Sequence, residues 1–265
     1  MRGHQKLSLL QMLLIALVAL FIVTPIAVSV YVGLMGDYVQ GISSGLTTKW
    51  VREVWLNYGN TVVNSVVLAL LCVLLCLLLG VPCAYALARS RSGWARQFEE
   101  VLTLPVAIPG LASALALILA YGSITVFRQS YGFILVGHVV FTLPFLVRIV
   151  AAAFRRSELL ALEEAARSLG ASFMQRFLGV LVPAVLPSII AAALMVFTLS
   201  VGEFNLTWML HTPMTRTLPV GLADTYASMR IEIGSAYTII FLLVILPVLW
   251  GFQMAQKMIE KHYGQ

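Results

Sequence analysis

The side chains best placed for chemistry lie in one polar segment, residues 162–183, which interrupts a chain of long apolar runs. Glu164 stands there before two alanines, Gly170 follows six positions later, and Pro183 follows another thirteen positions on. Catalysis within a membrane would require clustered His, Asp or Glu side chains, and the apolar runs do not carry such a cluster. We therefore expect this segment to offer a fixed charge to a binding partner outside the membrane.

The local sequence predicts a helix-turn-helix over about residues 157–179. Ser157 can cap a helix that begins at the next residue, and Gly170 supplies the left-handed backbone that ends it sharply. Ser172 and Gln175 form a capping box for a second short helix. Two capped helices predict a rigid element that can act as a lever.

The helical period predicts two faces on the first of these helices. Glu163 and Arg167 are spaced to form an ion pair one turn apart. The apolar face, with spacings of three, four and three residues, is predicted to contain Leu159, Leu162, Ala166 and Leu169.

Few other side chains in the apolar runs are reactive. Cys72, Cys76 and Cys83 share one helical face, and no His or acid lies near them to complete a metal site. We expect them to pack as small buried residues. His138 has no second acid for proton transfer and is expected to make an interhelical hydrogen bond. No catalytic residue, metal or cofactor is predicted.

Two polar residues, Glu203 and Asn205, directly follow the apolar run that ends near residue 202. Because polar groups are costly to bury in a membrane, those within spans are candidates for function. Glu203 and Asn205 are therefore predicted to line the substrate pathway or a gate, and the alternative is a helix cap at the outer surface.

The composition requires a membrane protein. Of 265 residues, 60% are hydrophobic and 11% are charged, against about 25% charged in soluble domains. About 20 apolar residues cross a bilayer as a helix, and unpaired backbone groups are excluded from lipid. We predict an all-α membrane protein with six transmembrane helices, at about residues 9–34, 60–88, 101–121, 131–154, 183–202 and 235–258.

The distribution of basic residues predicts the topology. If the N-terminus is cytoplasmic, inner segments carry eleven Lys and Arg residues and outer segments carry five, with Arg148 inside a span. The positive-inside rule then places both termini and the Glu164 segment in the cytoplasm. Since the net charge of +6 follows from this topology, nucleic acid is not an expected partner.

The polar segment resembles the EAA loop of ABC importer permeases. That pattern is E-A-A, three residues, G, nine residues, I-x-L-P, and here the matching residues are Glu164-Ala165-Ala166, Gly170 and Val180-Leu181-Val182-Pro183. The valines at 180 and 182 are conservative departures. The resemblance implies docking on a separate ATPase subunit through Leu162, Glu163, Glu164, Ala165, Ala166, Arg167, Leu169, Gly170, Ala171 and Pro183.

The same resemblance implies an assembly and a division of the chain. The expected partners in a bacterial inner membrane are a cytoplasmic ATPase dimer, a second, non-identical permease subunit and an external solute-binding protein. The chain is not expected to be an enzyme, since it lacks a G-x-x-x-x-G-K-[ST] loop and ATP hydrolysis resides in the partner ATPase. Residues 58–258 correspond to the permease core, 1–57 to a first transmembrane helix and outer loop, and 259–265 to a cytoplasmic tail.

The expected substrate is 2-aminoethylphosphonate or a similar small solute. Residues 202–205 and 216–222 resemble the corresponding sequences of aminoethylphosphonate permeases. Permeases for polyamine, ferric iron, sulfate or molybdate are the alternatives. The alternative class is a gradient-driven secondary transporter, which often carries midplane charges and inverted repeats that we do not find in this sequence.

Overall fold

The computed structural model describes residues 9–263, and every regular element in that range is a helix. The predicted all-α class is therefore confirmed. The first half contains α1 (Leu9–Gly33), a 3-10 turn (Gly41–Ser44), α2 (Lys49–Arg89), α3 (Gly93–Ala107), α4 (Gly110–Tyr121), α5 (Thr125–Arg128) and α6 (Tyr131–Phe154). The second half contains α7 (Ser157–Ser168), α8 (Phe173–Arg176), a π-helical turn (Phe177–Leu181), α9 (Val182–Gly202), α10 (Asn205–Leu210), α11 (Leu218–Ala227) and α12 (Ile231–Tyr263).

Five helical stretches of the described chain are long and apolar enough to cross a membrane. They match five of the six predicted spans. α2 is longer than its predicted span, because the helix begins at Lys49, within the predicted outer loop. Their bounds are Leu10–Gly33, Lys49–Arg89, Tyr131–Phe154, Phe173–Gly202 and Ile231–Met254.

The third predicted span, residues 101–121, is a bent pair of helices rather than one rod. α3 and α4 meet at an angle of 107° across a short break. Ile108, which precedes Pro109, has the extended backbone (ψ 132°) that a following proline imposes. The proline ring and its missing N–H therefore end α3, and the pair counts as a sixth span if both halves cross together.

One compact unit comprises the described residues up to Gly59 together with Gly221–Leu243. In it α1 approaches the start of α12 closely at Gly33, where an added Cβ would lie 2.8 Å from the backbone carbon of Ser235. Arg230 ties the turn before α12 to α2, donating hydrogen bonds to Glu53 at 2.8 Å and to the Tyr58 hydroxyl at 2.9 Å. The close approach at Gly33 and the contacts of Arg230 thus join α1 and α2 to the α12 segment of this unit.

Gly33→Ala is expected to destabilise the protein by about 1–3 kcal/mol, because a methyl group would overlap backbone that cannot rotate away. The matched control is Gly59→Ala, since an added Cβ there meets nothing within 4 Å and alanine favours a helix. We expect the melting temperature of the purified protein in lipid nanodiscs to fall only for the first variant. Equal melting temperatures for Gly33→Ala and the parent would contradict the close approach.

The second unit comprises Asn60–Val220 and the described residues from Val244 onward. α6 lies at its core and presents a buried face that includes Phe133, Leu146 and Phe154. α2 packs against α6 at Gly80, where an added Cβ would lie 2.5 Å from a methyl of Leu146. The small residues of α2 thus allow close packing of these two helices.

Candidate functional site

The polar segment forms a helix-turn-helix whose turn is closed by Gly170, with φ of +81°. The Gly170 N–H donates to the Arg167 carbonyl at 3.0 Å, and the Ala171 N–H donates to the Ala166 carbonyl at 3.1 Å. These two bonds form a Schellman motif, which satisfies carbonyls left free at the end of α7. The predicted left-handed glycine is confirmed.

The predicted capping box at the start of α8 is confirmed, whereas the predicted cap of α7 is wrong. The Ser172 N–H donates to Gln175 Oε1 at 2.8 Å, and the Gln175 N–H donates to Ser172 Oγ at 3.4 Å. α7 begins at Ser157 itself, because Arg156 has the extended backbone of an N-cap (ψ 136°) and makes no side-chain capping bond. Ser157 is already helical and so cannot cap.

A π-helical turn over Phe177–Leu181 joins α8 to α9. The Val182 N–H donates to the carbonyl of Phe177, five residues earlier. Pro183 has no N–H, so the carbonyl of Gly179 lacks its α-helical donor, and a wider turn occurs at this position. The second helix, which the sequence predicts to run toward Pro183 and the fifth span, therefore forms one helical stretch with that span, Phe173–Gly202.

Glu163 of α7 faces the interior of the unit. Its Oε1 accepts a hydrogen bond from the Tyr85 hydroxyl at 2.5 Å, and its Oε2 accepts one from Arg89 Nε at 2.6 Å. The predicted pairing of Glu163 with Arg167 is wrong, because these two donors on α2 occupy both carboxylate oxygens. The Arg89 and Glu163 side chains are 17% and 15% exposed, so the pair is partly withdrawn from solvent.

The electrostatic state of Glu163 follows from these contacts. Burial by itself would raise the pKa of Glu163, but the hydrogen bonds from Tyr85 and Arg89 outweigh it and hold the pKa below its ordinary value of 4.5. The carboxylate is therefore ionised at neutral pH, and the ion pair with Arg89 is present.

The same cluster reaches the end of α6 and the start of α8. Arg89 Nη1 donates to the carbonyl of Phe154 at 2.6 Å. The Tyr85 ring lies 5.7 Å from that of Phe154 and 5.2 Å from that of Phe177, and Phe173 stacks on Phe177 at 5.8 Å. We name Tyr85, Arg89, Glu163 and these three phenylalanines the junction cluster. Sequence reasoning missed it, because its members are far apart in the chain.

The outward side of the helix-turn-helix mixes charged and apolar groups. The predicted apolar face is wrong: Leu159 is 5% exposed, whereas Leu162 and Leu169 are 48% and 89% exposed. Leu169 lies in the turn and has left the helical register. We define the docking surface as the exposed side chains of Leu162, Glu164, Ala165, Arg167, Leu169 and Met174. An exposed apolar patch with charges around it is typical of a protein interaction site.

The other predicted coupling residues lie outside the docking surface. Glu163 belongs to the junction cluster, Ala166 and Ala171 are half-buried beside the turn, and Pro183 lies in the first turn of α9. Gly170 shapes the turn. The predicted set thus combines residues that can touch a partner with residues that hold the element in position.

Glu203 forms a cap for the short helix α10. Its carboxylate accepts hydrogen bonds from the N–H groups of Leu206 and Thr207, both at 2.9 Å. Asn205 is exposed, and its Cβ would lie 3.2 Å from a Cβ added at Gly110, beside the break between α3 and α4. Capping accounts for the carboxylate, and a role of Glu203 and Asn205 in the pathway remains a prediction.

His138 is 1% exposed and links three helices. Its Nδ1 lies 2.7 Å from Ser200 Oγ on α9, and its Nε2 lies 2.8 Å from Thr207 Oγ1 on α10. The predicted interhelical hydrogen bond is confirmed and is in fact double. Both ring nitrogens are satisfied, which fits a structural role.

The cysteines behave largely as packing residues. Cys72 and Cys76 are fully buried against Thr142 of α6, with sulfur to Oγ1 distances of 3.3 and 3.4 Å. Cys83 is half-buried. Among the described residues no group of three or more His, Cys, Asp or Glu side chains could hold a metal ion.

The chain is similar to known transport proteins. Residues 41–261 match the model of the family described as binding-protein-dependent transport system inner membrane component. A probable ABC transporter permease protein, y4fN of Sinorhizobium fredii, is 32% identical over 144 residues. That match covers 52% of this chain and 25% of y4fN, so the matched region spans only about a quarter of that relative's length.

Two further relatives are matched over most of their length. The molybdenum transport system permease protein ModB of Mycobacterium tuberculosis is 29% identical over 185 residues, covering 64% of this chain and 69% of ModB. The putative 2-aminoethylphosphonate transport system permease protein PhnV of Salmonella typhimurium is 28% identical over 187 residues, covering 70% and 69%.

Two solved structures share the fold. A bacterial ABC transporter involved in import of the acidic polysaccharide alginate superposes with a TM-score of 0.71 at 19% identity, covering 94% of both chains. The MetNI methionine ABC transporter, in an inward-facing conformation, gives a TM-score of 0.62 at 21% identity, covering 80% of this chain and 98% of that one.

Proposed function

Because the chain belongs to the family of binding-protein-dependent transport system inner membrane components, we propose that it forms the solute pathway of an ABC importer and docks on a separate ATPase through the docking surface carried by residues 157–179. The family and the fold support the first part of this proposal. The docking surface supports the second part, since it is exposed and is carried on two helices whose turn is closed by the Schellman motif at Gly170 and by the capping box of α8.

The docking surface is the single observation that carries the coupling role. Glu164 and Arg167 point outward among exposed apolar side chains, of which Leu169 is 89% exposed. One exposed leucine would be ordinary, but Leu162, Leu169 and Met174 are all exposed on this one element, and a group of exposed apolar side chains marks a surface that a partner covers. A cleft in an ATPase subunit that accepts a small apolar turn and binds a carboxylate would complement it.

The mechanism then needs two states of the permease. ATP binding closes the ATPase dimer and moves the docked loops, and the pathway opens toward a loaded external binding protein; hydrolysis resets it. A ligand shifts such an equilibrium only by its different affinity for the two states. The bend between α3 and α4 is the proposed hinge for this change, and no residue of this chain takes part in hydrolysis.

The same proposal covers partners and location. The chain would pair with a second, non-identical permease subunit, bind an ATPase dimer in the cytoplasm and receive solute from an external binding protein. It would lie in the bacterial inner membrane with both termini in the cytoplasm. Residues 1–8 and 264–265, which include both termini, lie outside the described residues.

The proposed substrate is 2-aminoethylphosphonate or a similar small solute. The similarity to PhnV at 28% identity supports it, and the similarity to ModB at 29% identity makes molybdate the main alternative. Uptake of radiolabelled 2-aminoethylphosphonate and molybdate by reconstituted vesicles, each with its candidate binding protein, would separate the two. A gradient-driven secondary transporter would instead take up solute with this chain alone and without ATP.

Glu164→Lys is expected to weaken binding of the ATPase roughly ten- to hundredfold, because it places a like charge where a carboxylate is bound. Co-purification of the ATPase with the permease and ATP-dependent uptake measure this effect. Glu158→Lys is the matched control, since Glu158 is an exposed acid on the same helix outside the docking surface. Wild-type binding by Glu164→Lys would contradict the proposed docking.

A further inference from the structure

We propose that Tyr85, Arg89 and Glu163 transmit movement of α7 directly to α2. Glu163 is then a positioning residue that acts through Arg89 instead of contacting the ATPase. This inference rests on the proposed function. It adds a second connection through which α7 can move the membrane helices, because the chain joins α7 directly to α6 and to the α8–α9 stretch but not to α2.

The geometry gives the connection its stiffness. Both oxygens of Glu163 accept hydrogen bonds, at 2.5 and 2.6 Å, and Arg89 also donates to the last residue of α6 at 2.6 Å. Charged hydrogen bonds of this length are the strong ones, and two donors fix the orientation of the carboxylate. One guanidinium therefore ties the ends of α2 and α6 to the middle of α7.

Burial makes this connection more effective than a surface ion pair. The Arg89 and Glu163 side chains are 17% and 15% exposed, so water competes little for the contact, whereas exposed pairs contribute little. Beneath it Tyr85 packs on Phe154 and Phe177. A rotation of α7 that preserved the aromatic packing would still have to carry the Arg89 head group with it.

Two adjacent glutamates have different roles, one in the junction cluster and one on the docking surface. Glu163 and Glu164 differ in direction by one step of the helix, about 100°. The first is half-buried in the junction cluster and the second is exposed on the docking surface. A displacement of the docking surface thus reaches the junction cluster within the same helical turn.

The test is a double-mutant cycle in the complete transporter, with Glu163→Gln, Arg89→Gln and the double variant. We expect each single variant to bind the ATPase normally and to hydrolyse ATP, while solute uptake per ATP falls about tenfold, the effect of losing a hydrogen bond to a charged group. The double variant is expected to lose no more than the worse single variant, because both changes break one contact.

The controls separate this role from a merely structural one. Glu158→Gln, on the same helix, is expected to leave uptake per ATP unchanged, and Tyr85→Phe, which keeps the ring, is expected to reduce it only a few-fold. If the contact only stabilised the fold, the variants would give less assembled transporter but normal uptake per ATP in the part that assembles.

Normal uptake per ATP in Glu163→Gln, or additive losses in the double variant, would overturn the inference. Failure of the unaltered chain to bind an ATPase would instead contradict the proposed function itself.

Discussion

Replacing Gly170 with proline is expected to abolish ATP-dependent uptake, with a loss of at least about hundredfold. Gly170 has φ of +81° and donates its N–H to the Arg167 carbonyl at 3.0 Å. Proline requires φ near −65° and has no N–H, so the turn cannot form as observed, at a cost of about 3 kcal/mol or more. The docking surface would lose its shape even if both helices remained.

Gly170→Asn is the matched control for this variant. Asparagine adopts the left-handed conformation more readily than other residues with a side chain, and a Cβ at position 170 meets nothing within 4 Å. We expect it to retain most of the uptake and of the co-purification with the ATPase. Uptake by Gly170→Pro at the level of Gly170→Asn would show that the turn geometry is not needed for coupling.

Replacing His138 with alanine is expected to lower the stability of the protein by about 2–4 kcal/mol. The two hydrogen bonds to Ser200 and Thr207 are each worth roughly 0.6–1.7 kcal/mol in a membrane protein. The missing ring also leaves a cavity in a site that is 1% exposed, which adds to the loss. The melting temperature in nanodiscs should fall by roughly 6–12 °C.

Ser200→Ala provides the comparison, because it removes one of the two bonds and leaves the ring in place. Its melting temperature is expected to fall by about a third as much. If His138→Ala melted within about 2 °C of the parent protein, the three-helix link through His138 would carry little of the stability.

Some features that depend on neighbouring residues were predictable from the sequence, although the predicted cap at Ser157 was wrong. The Schellman turn at Gly170 and the capping box of Ser172 and Gln175 depend on backbone groups within five residues, so their residue types suffice to predict them. The apolar runs similarly predict the spans, because a bilayer demands length and hydrophobicity wherever the helix lies.

Two departures from the predicted helices occur at prolines. Pro109 forces Ile108 into an extended conformation and bends the third span by 107°. Pro183 lacks the donor that an α-helix needs at that point, and a π turn carries the chain from α8 into α9. Both prolines are evident in the sequence, but whether a helix bends sharply or continues through a π turn depends on what packs around it.

What this sequence determined by itself is a helical membrane protein with a polar helix-turn-helix closed at Gly170. Only the tertiary structure decided which way each charge on α7 points. The helical period predicted that Glu163 pairs with Arg167. In the fold Glu163 instead accepts hydrogen bonds from Arg89 and Tyr85, on a helix more than seventy residues earlier. The distant pair prevails because a partly buried site strengthens charged hydrogen bonds, whereas the local pair would lie in water.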